Sequence, residues 1–329
     1  MIKKPKIDYV YILAASHSGS TLLAMLLNAH PCLGTIGEAS PTVSGADTYL
    51  CSCRRLLKDC PFWRNVSRRM QKDHPDFDLG HFGTKFELSS SSILNRVLRM
   101  EHRGVLFERA RDMVLGLSPG WRRLRRAISA RCYDLASAVL AESKASVFVD
   151  SSKLAHRLKF VLGIPEFNVK VIHLVRDGRA VTLTYMRQDE FADAKDAALR
   201  RGGRGMRSAA TAISLPIEKA ADEWRRCLVS AEHALAGLER SQWHRVHYED
   251  LCNDTEVTLR EVFDFLAVDC EAIAADFRTV ENHVIGNGMR LDSTAEVRLD
   301  ERWRDVLTAE DLQVFEQVAG ETNRRYGYE

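Results

Sequence analysis

The chain has 329 residues, of which 45% are hydrophobic and 28% charged, a balance that is ordinary for a globular enzyme with a large core. Its formal net charge is only +2, which argues against a dedicated nucleic-acid-binding protein, because such proteins carry a basic excess. No stretch reaches the ~20 apolar residues of a membrane span, so we expect a cytoplasmic protein without an integral membrane segment.

The chain opens with a predicted strand–loop–helix unit. Tyr9–Ala14 is a short apolar run that ends in small and polar residues, which predicts a buried parallel strand. Thr21–Ala29 is rich in helix formers and predicts a helix. A short apolar run at Leu33–Ile36 predicts a second strand. A signal peptide is the alternative for the N-terminus, but no cleavage-site-like region follows the apolar run.

Strands alternate with helices in the second half of the chain. The predicted strands are Ser146–Val149, Val169–Val175 and Trp243–His247, and the predicted helices are Leu154–Leu162, Arg179–Arg187, Ile217–Leu238 and Glu256–Leu266. This alternation predicts an α/β fold, a three-layer parallel sheet flanked by helices.

Residues 40–142 interrupt this alternation. They are rich in arginine and mostly helical in pattern, so we predict a helical insertion within a single domain of residues 1–329. The arginine-rich segment Arg122–Arg131 could contact an anionic partner, although a solvated helix face is the commonest interpretation of such a run. The insertion is a natural place for substrate recognition.

The loop after the first strand has the spacing of a phosphate-binding loop. Residues 14–21, AASHSGST, match the frame GxxxxGK[ST], with Ala14 at the first glycine and Ser20 in place of the lysine. Such a loop directs backbone N–H groups and the helix dipole at an anion. Gly19 permits close approach, and the hydroxyls of Ser18, Ser20 and Thr21 add donors. A Ser/Gly-rich turn without a ligand is the alternative.

A second anion site is predicted where the strand Val169–Val175 ends. Arg176 follows this strand, and ligands of open α/β sheets bind at the carboxyl ends of strands. An arginine fork with a nearby hydroxyl, here Thr184, suits a phosphate monoester. The alternative is a helix N-terminus capped by Asp177, with solvated arginines.

Five motifs in order resemble those of sulfotransferases that use 3′-phosphoadenosine-5′-phosphosulfate (PAPS), over nearly the whole chain apart from about residues 40–140. SHSGSTLL (Ser16–Leu23) resembles their 5′-phosphosulfate loop, and LVRDGRAVTLT (Leu174–Thr184) resembles their 3′-phosphate motif. The other three are LLNAHPCLGTIGE (Leu26–Glu38), HYEDL (His247–Leu251) and HVIGNGMR (His283–Arg290). The resemblance is greatest to the carbohydrate and tyrosylprotein branches and their bacterial relatives, and it implies the P-loop-NTPase-like fold of this family.

This resemblance implies transfer of a sulfuryl group from PAPS, without a metal, to a hydroxyl of an acceptor such as a carbohydrate, glycolipid or small-molecule alcohol. It implies that Glu38 is the general base that the attacking hydroxyl requires; a surface turn residue is the alternative. It also implies a nucleotide site formed by Ser18, Gly19, Ser20, Thr21, Leu22, Arg176, Thr184, Tyr248, Asn287, Gly288, Met289 and Arg290. Tyr248 has the alternative of a packed aromatic residue.

Two further residues are catalytic candidates. His17 occupies a loop position where many relatives carry arginine or lysine, and it could act as an acid toward the leaving phosphate. Lys153, in the DSSK stretch after a predicted strand, is a candidate for the missing cation. Its alternative is a helix N-cap at Ser151 or Ser152 followed by a solvated lysine.

Two other functions remain open at this point. A P-loop kinase would need a lysine at position 20, where the chain has Ser20, and an acid that holds magnesium. The other is a non-catalytic nucleotide-binding protein, for which His17 in place of an arginine is the best support.

Three of the eight cysteines, Cys51, Cys53 and Cys60, form a cluster. Three thiolates can bind zinc, but the spacing lacks the usual CxxC, and a fourth ligand such as His74 is only one possibility. Reduced core or surface cysteines are the favoured interpretation, so we expect no metal.

Overall fold

The computed structural model describes residues 4–40, 46–47, 49–87, 95, 97–98, 104–187, 214–269, 276–291 and 296–329. Its centre is a sheet of five parallel strands, β1 (Ile7–Ala14), β2 (Leu33–Thr35), β3 (Val147–Lys153), β4 (Phe167–Val175) and β5 (Trp243–His247). The strands pair in the order β2-β3-β1-β4-β5. The predicted α/β architecture is confirmed, and the last predicted strand has the bounds observed.

Helices cover both faces of this sheet. They are α1 (Ser20–Asn28), α2 (Pro61–Asp73), α3 (Val105–Leu117), α4 (Pro119–Ser143), α5 (Ala155–Leu162), α6 (Gly178–Met186), α7 (Ile217–Leu235), α8 (Tyr248–Asn253), α9 (Thr255–Leu266), α10 (Trp303–Val306), α11 (Ala309–Phe315) and α12 (Glu321–Arg325), with a π-helical segment, Glu316–Gly320, between the last two. None of the helices in these described ranges is both long and apolar enough to cross a bilayer.

The central strand β1 is buried on both faces, as its apolar run predicts. Tyr9, Tyr11 and Leu13 belong to one core cluster, whereas the alternate residues of the strand, Val10 and Ile12, belong to a second cluster under α1. This alternation follows from the two-residue period of a strand. Because β1 pairs with β4 from Ile7 to Ala14, the loops that follow these two strands begin side by side.

The described parts of residues 40–142 include α2, α3 and α4. Trp63 of α2 and Trp121 of α4 are buried in the same cluster as Tyr9 of the central strand, so these helices cover one face of the sheet. The single-domain organisation and the role of this insertion in substrate recognition stay predictions.

The strand β3 extends four residues beyond its predicted end, to Lys153. The predicted alternative of an N-cap at Ser151 or Ser152 is therefore wrong, and α5 begins after Leu154 without a side-chain cap. The polar residues remain in the strand because Asp150 binds the Arg157 guanidinium at 2.9 Å and also accepts from the Tyr9 hydroxyl at 2.7 Å. Buried charges are tolerated when they are paired in this way.

The electrostatics of Asp150 agree with this pairing. Burial by itself raises the pKa of the carboxyl, but the charge of Arg157 and hydrogen bonds from Ser152 and Tyr9 outweigh it, so the pKa lies below its usual value. The ionised Asp150 also accepts from the backbone N–H of Ala39 at 3.1 Å. It thus ties the end of β3 to the segment that carries Glu38.

Candidate functional site

The predicted anion-binding loop joins β1 to α1, and α1 begins at Ser20 with Gly19 as its N-cap residue. Gly19 has φ +89°, and a Cβ at this position would lie 2.5 Å from the Tyr248 ring. Both observations require a glycine here, because a side chain would be strained and would collide with the aromatic ring. The backbone of the loop therefore packs directly on Tyr248.

The loop offers donors that have no partner within the described part of the chain. No side chain there caps α1, and the first N–H groups of a helix have no intrahelical acceptor. The Ser18 hydroxyl is buried and lacks a hydrogen-bond partner among these residues. Ser20, Thr21 and Leu22 form the buried first turn of the helix. This arrangement suits an anion at the helix N-terminus.

Arg176 directly follows β4, as predicted, and its side chain is buried. Its Nη1 donates to the backbone oxygen of His17 at 3.0 Å, and its guanidinium carbon lies 4.4 Å from the centre of the Tyr248 ring. The predicted alternative of a solvated arginine is wrong for Arg176. Asp177 does cap α6, where it accepts from the backbone N–H of Arg179.

The two predicted anion sites therefore lie next to each other. The Tyr248 ring contacts Gly19 of the first turn and the guanidinium of Arg176 in the second, and the bond from Arg176 to His17 joins the turns directly. Tyr248 is the first residue of α8 and its hydroxyl lies 3.4 Å from the Arg298 oxygen. Burial raises the pKa of Tyr248, so the phenol is neutral at ordinary pH.

Asp300 was not predicted as a site residue, but its carboxylate lies 3.1 Å from Nη2 of Arg176. Burial alone would raise the pKa of Asp300, but the hydrogen bond from Arg302 and the charge of Arg176 hold it well below its usual range. An ionised carboxylate thus lies where the arginine would meet a phosphate. No local pattern around Asp300 indicated this contact.

Asp300→Asn should strengthen the binding of a phosphate monoester at Arg176 about tenfold, because a negative charge beside the anion is removed. The measurement is calorimetry with 3′,5′-adenosine bisphosphate. Asp305→Asn, which removes an exposed carboxylate in α10, is the matched control and should bind as the wild type does. Unchanged or weaker binding by the Asp300 variant would contradict a phosphate site at Arg176.

Glu38 lies in a second part of the site, after β2. It forms an ion pair with Lys153 at the end of β3, and both side chains are largely buried, with exposed fractions of 17% and 13%. The predicted alternatives, a surface turn for Glu38 and a solvated lysine, are therefore wrong. The Glu38 backbone is held by the preceding Gly37, whose oxygen accepts from the N–H of Ser151 at 2.8 Å.

Glu38 also faces the anion-binding loop. A Cβ built on Gly286 would lie 3.6 Å from Glu38 Oε1 and 3.5 Å from Thr21 Oγ1, so the carboxylate and the first turn of α1 border the same small space. A carboxylate at this position can accept a proton from a group that reacts beside a bound anion.

The predicted nucleotide loop around residues 287–290 lies next to this space. Gly288, Met289 and Arg290 form a 3-10 turn, and Asn287 Oδ1 accepts from the N–H of Met289 at 3.0 Å. Arg290 is buried, and its guanidinium donates to backbone oxygens of Gly286, Asn287 and Leu50. Arg290 therefore holds the loop together, whereas its contact with a nucleotide stays a prediction.

Two other predicted site residues are Thr184, on α6, and His17, in the loop between β1 and α1. Thr184 is buried, and its hydroxyl donates to the Ala180 oxygen one helical turn earlier at 3.0 Å. His17 has φ +66°, and its ring packs edge-on against Tyr185 with the ring centres 5.5 Å apart. The roles predicted for both residues stay predictions.

The cysteine cluster differs from its predicted composition. Cys51, Cys53 and Cys60 lie together with His283, whereas His74 bonds Asp134 at 2.9 Å. His74 as the fourth member is therefore wrong. The correct histidine lies 223 residues after Cys60 along the chain.

Comparisons with known proteins identify the family of the chain. The family model described as "Sulfotransferase family" matches residues 9–272. Carbohydrate sulfotransferase 5 from Mus musculus is 24% identical over 173 residues, which cover 51% of this chain and 44% of the mouse protein. The match thus spans less than half the length of that curated relative.

Two solved structures are similar to this chain at low sequence identity. The sulfotransferase STF9 from Mycobacterium avium has a TM-score of 0.50 at 11% identity, covering 99% of this chain and 78% of that one. The sulfotransferase domain from the curacin biosynthetic pathway has a TM-score of 0.49 at 17% identity, covering 99% of each chain. The likeness to STF9 agrees with the P-loop-like architecture predicted from the sequence.

Proposed function

The chain belongs to the sulfotransferase family, and on this basis we propose that it transfers a sulfuryl group from PAPS to a hydroxyl group of an acceptor. The observation that carries the proposal is the hydrogen bond from Arg176 to the His17 oxygen, which joins the two anion-binding turns. A single adenosine donor has phosphate groups at its 5′ and 3′ positions. The loop around Gly19 would bind the 5′-phosphosulfate, and Arg176 would bind the 3′-phosphate.

The reaction is an in-line displacement at sulfur. The acceptor oxygen attacks the sulfur atom, the bond from sulfur to the bridging phosphate oxygen breaks, and the hydroxyl proton passes to Glu38. The products are a sulfate ester and 3′,5′-adenosine bisphosphate. Positioning and charge stabilisation supply most of the rate in such group transfers, and Glu38 borders the loop where the sulfuryl group would lie.

Lys153 supplies the cation that the loop lacks at Ser20. Its ammonium group pairs with Glu38, and it therefore lies at the edge of the space that the sulfuryl group would occupy. In this position it orients the base and stabilises negative charge on the transferring group. No step requires a metal ion.

Nucleotide binding separates this proposal from the kinase alternative. Calorimetry should detect tight binding of 3′,5′-adenosine bisphosphate and much weaker binding of ATP with magnesium, because Ser20 replaces the lysine that neutralises a triphosphate. Preference for ATP would contradict the proposal. Turnover of labelled PAPS with carbohydrates, glycolipids and small-molecule alcohols then distinguishes an enzyme from a protein that only binds the nucleotide.

The acceptor is proposed to be one of these hydroxyl-bearing classes, with residues 40–142 contributing to its recognition. The curated relative is named a carbohydrate sulfotransferase, which supports the first class. The cytoplasmic location and the absence of a nucleic-acid partner stay predictions.

His17→Ala should lower turnover about tenfold, the effect of losing one hydrogen bond to a developing charge. The measurement is steady-state turnover of both proteins, with His81→Ala, an exposed histidine, as the control. Full turnover by the His17 variant would exclude a role as acid.

A further inference from the structure

A compact group of metal-binding side chains lies beside the candidate site. Cys51, Cys53, Cys60 and His283 each direct one ligand atom to a common point, and these four atoms lie within 4.8 Å of one another. Three of the residues are buried and Cys53 is partly exposed. Such a set of three thiols and one imidazole is one of the common ligand sets of structural zinc.

Four of the six distances between the ligand atoms match a tetrahedron around one ion, and all six are within 4.8 Å. Zinc–sulfur bonds of about 2.3 Å place two sulfurs of a tetrahedral site roughly 3.8 Å apart, and a sulfur and a nitrogen roughly 3.6 Å apart. Cys60 Sγ lies 3.7 Å from the sulfur of Cys53 and 3.9 Å from that of Cys51. His283 Nδ1 lies 3.6 Å from Cys51 Sγ and 3.3 Å from Cys60 Sγ.

The surroundings of the ligands also suit a metal. The other ring nitrogen of His283, Nε2, lies 3.1 Å from a carboxylate oxygen of Glu281, and such a carboxylate fixes the tautomer that leaves Nδ1 free to coordinate. The His283 ring stacks on Phe62, with ring centres 4.4 Å apart and an angle of 12° between the planes. The imidazole is thus oriented toward the sulfurs before any ion binds.

A disulfide explains this arrangement less well. A bonded pair of sulfurs is about 2.05 Å apart, whereas the sulfur distances here of 3.7 and 3.9 Å are similar to each other. One disulfide would also leave the third thiol and the histidine without a reason for their convergence.

We propose that these four residues bind one Zn²⁺ ion with a structural role. Four protein ligands complete the tetrahedron and leave no position for substrate, so the ion takes no part in sulfuryl transfer. No metal was expected from the sequence because the cysteine spacing lacks CxxC, and the histidine that completes the set lies 223 residues after Cys60.

The ion would join two segments that border the candidate active site. The segment with the cysteines also contacts residues 282–291 directly. The Tyr49 hydroxyl donates to the Gly286 oxygen and accepts from the Gly286 N–H, each at 2.9 Å. Arg290 donates to the Leu50 oxygen at 2.6 Å. Gly286 in turn borders Glu38 and Thr21. Zinc would therefore fix the loop that closes one side of the proposed donor site.

Metal analysis of the purified full chain tests the proposal. Protein produced with zinc in the medium and purified under reducing conditions should contain about one zinc per chain by mass spectrometry, and Cys60→Ser should contain at least about tenfold less. Cys132→Ser, at a buried cysteine outside the cluster, is the matched control and should keep its zinc. Equal zinc loss in the control would overturn the assignment to these ligands.

A second measurement does not depend on a variant folding. Wild-type protein stripped of metal and titrated with Co²⁺ should show thiolate-to-cobalt charge-transfer absorption that saturates at one equivalent and disappears when Zn²⁺ is added. Failure to bind either ion, or a disulfide among the three cysteines in non-reducing peptide mapping of the reductant-free native protein, would overturn the proposal. The metal content is measured without nucleotide, so its outcome is independent of the proposed sulfuryl transfer.

Discussion

Glu38→Gln should lower the turnover number about 10³-fold, within the range that a positioned general base contributes. Glutamine keeps the shape of the side chain but cannot accept the proton that the attacking hydroxyl must lose. The dissociation constant for 3′,5′-adenosine bisphosphate should change by less than about threefold, because the base acts on the acceptor and not on the nucleotide. Steady-state rates with an acceptor from the panel and calorimetry on the same protein provide the two values.

The control for this variant is Glu256→Gln, which makes the same change at a side chain that is 71% exposed, and it should behave as wild type. The loss of the ion pair with Lys153 is a separate effect, so thermal unfolding of the Glu38 variant is measured as well. Wild-type turnover by Glu38→Gln would show that the base is another residue. Equal losses in turnover and nucleotide affinity would show that Glu38 acts only by holding Lys153.

Arg176→Ala should weaken the binding of 3′,5′-adenosine bisphosphate about 100-fold, because charge-assisted hydrogen bonds to the 3′-phosphate are lost. The variant should still fold, since Asp300, the partner left behind, keeps two hydrogen bonds from Arg302 at 2.7 and 2.8 Å. Calorimetry measures the dissociation constants of wild type and variant.

A ligand without the 3′-phosphate makes this test specific. Adenosine 5′-monophosphate should lose much less affinity in Arg176→Ala than 3′,5′-adenosine bisphosphate does, because it lacks the 3′-phosphate and is affected only through the lost bond from Arg176 to the His17 oxygen. Arg304→Ala, at a side chain that is 60% exposed, changes the net charge equally and should leave both affinities unchanged. An equal loss for both nucleotides in the Arg176 variant would show that this arginine does not bind the 3′-phosphate.

The local parts of the site were predictable from the sequence. A buried apolar strand that runs into a Ser/Gly loop and a helix predicts β1, the loop and α1 because hydrophobic period and turn chemistry act over a few residues. The position of Arg176 after β4 followed from the same reasoning. The alternation of strands and helices along the chain predicted a parallel sheet, and the structure confirmed this prediction.

The contacts within the site were not predictable in the same way. Lys153 pairs with Glu38 across 115 residues of chain, and Asp300 meets Arg176 across 124. The DSSK stretch was predicted to follow the strand, with a helix N-cap at Ser151 or Ser152 as the alternative, yet the buried pair of Asp150 with Arg157 keeps it in the strand. Single-sequence patterns carry no information on which distant charge will neutralise a buried one.

The sequence by itself thus determined the elements and the two turns that are suited to anions, since both depend on neighbours in the chain. Only the tertiary structure decided that these turns share the Tyr248 ring and that His283 completes the cysteine cluster. The physical reason is that packing of the sheet and helices brings distant segments together. The energy of each such contact depends on how deeply the groups are buried and on which partner they meet, and local sequence does not encode either.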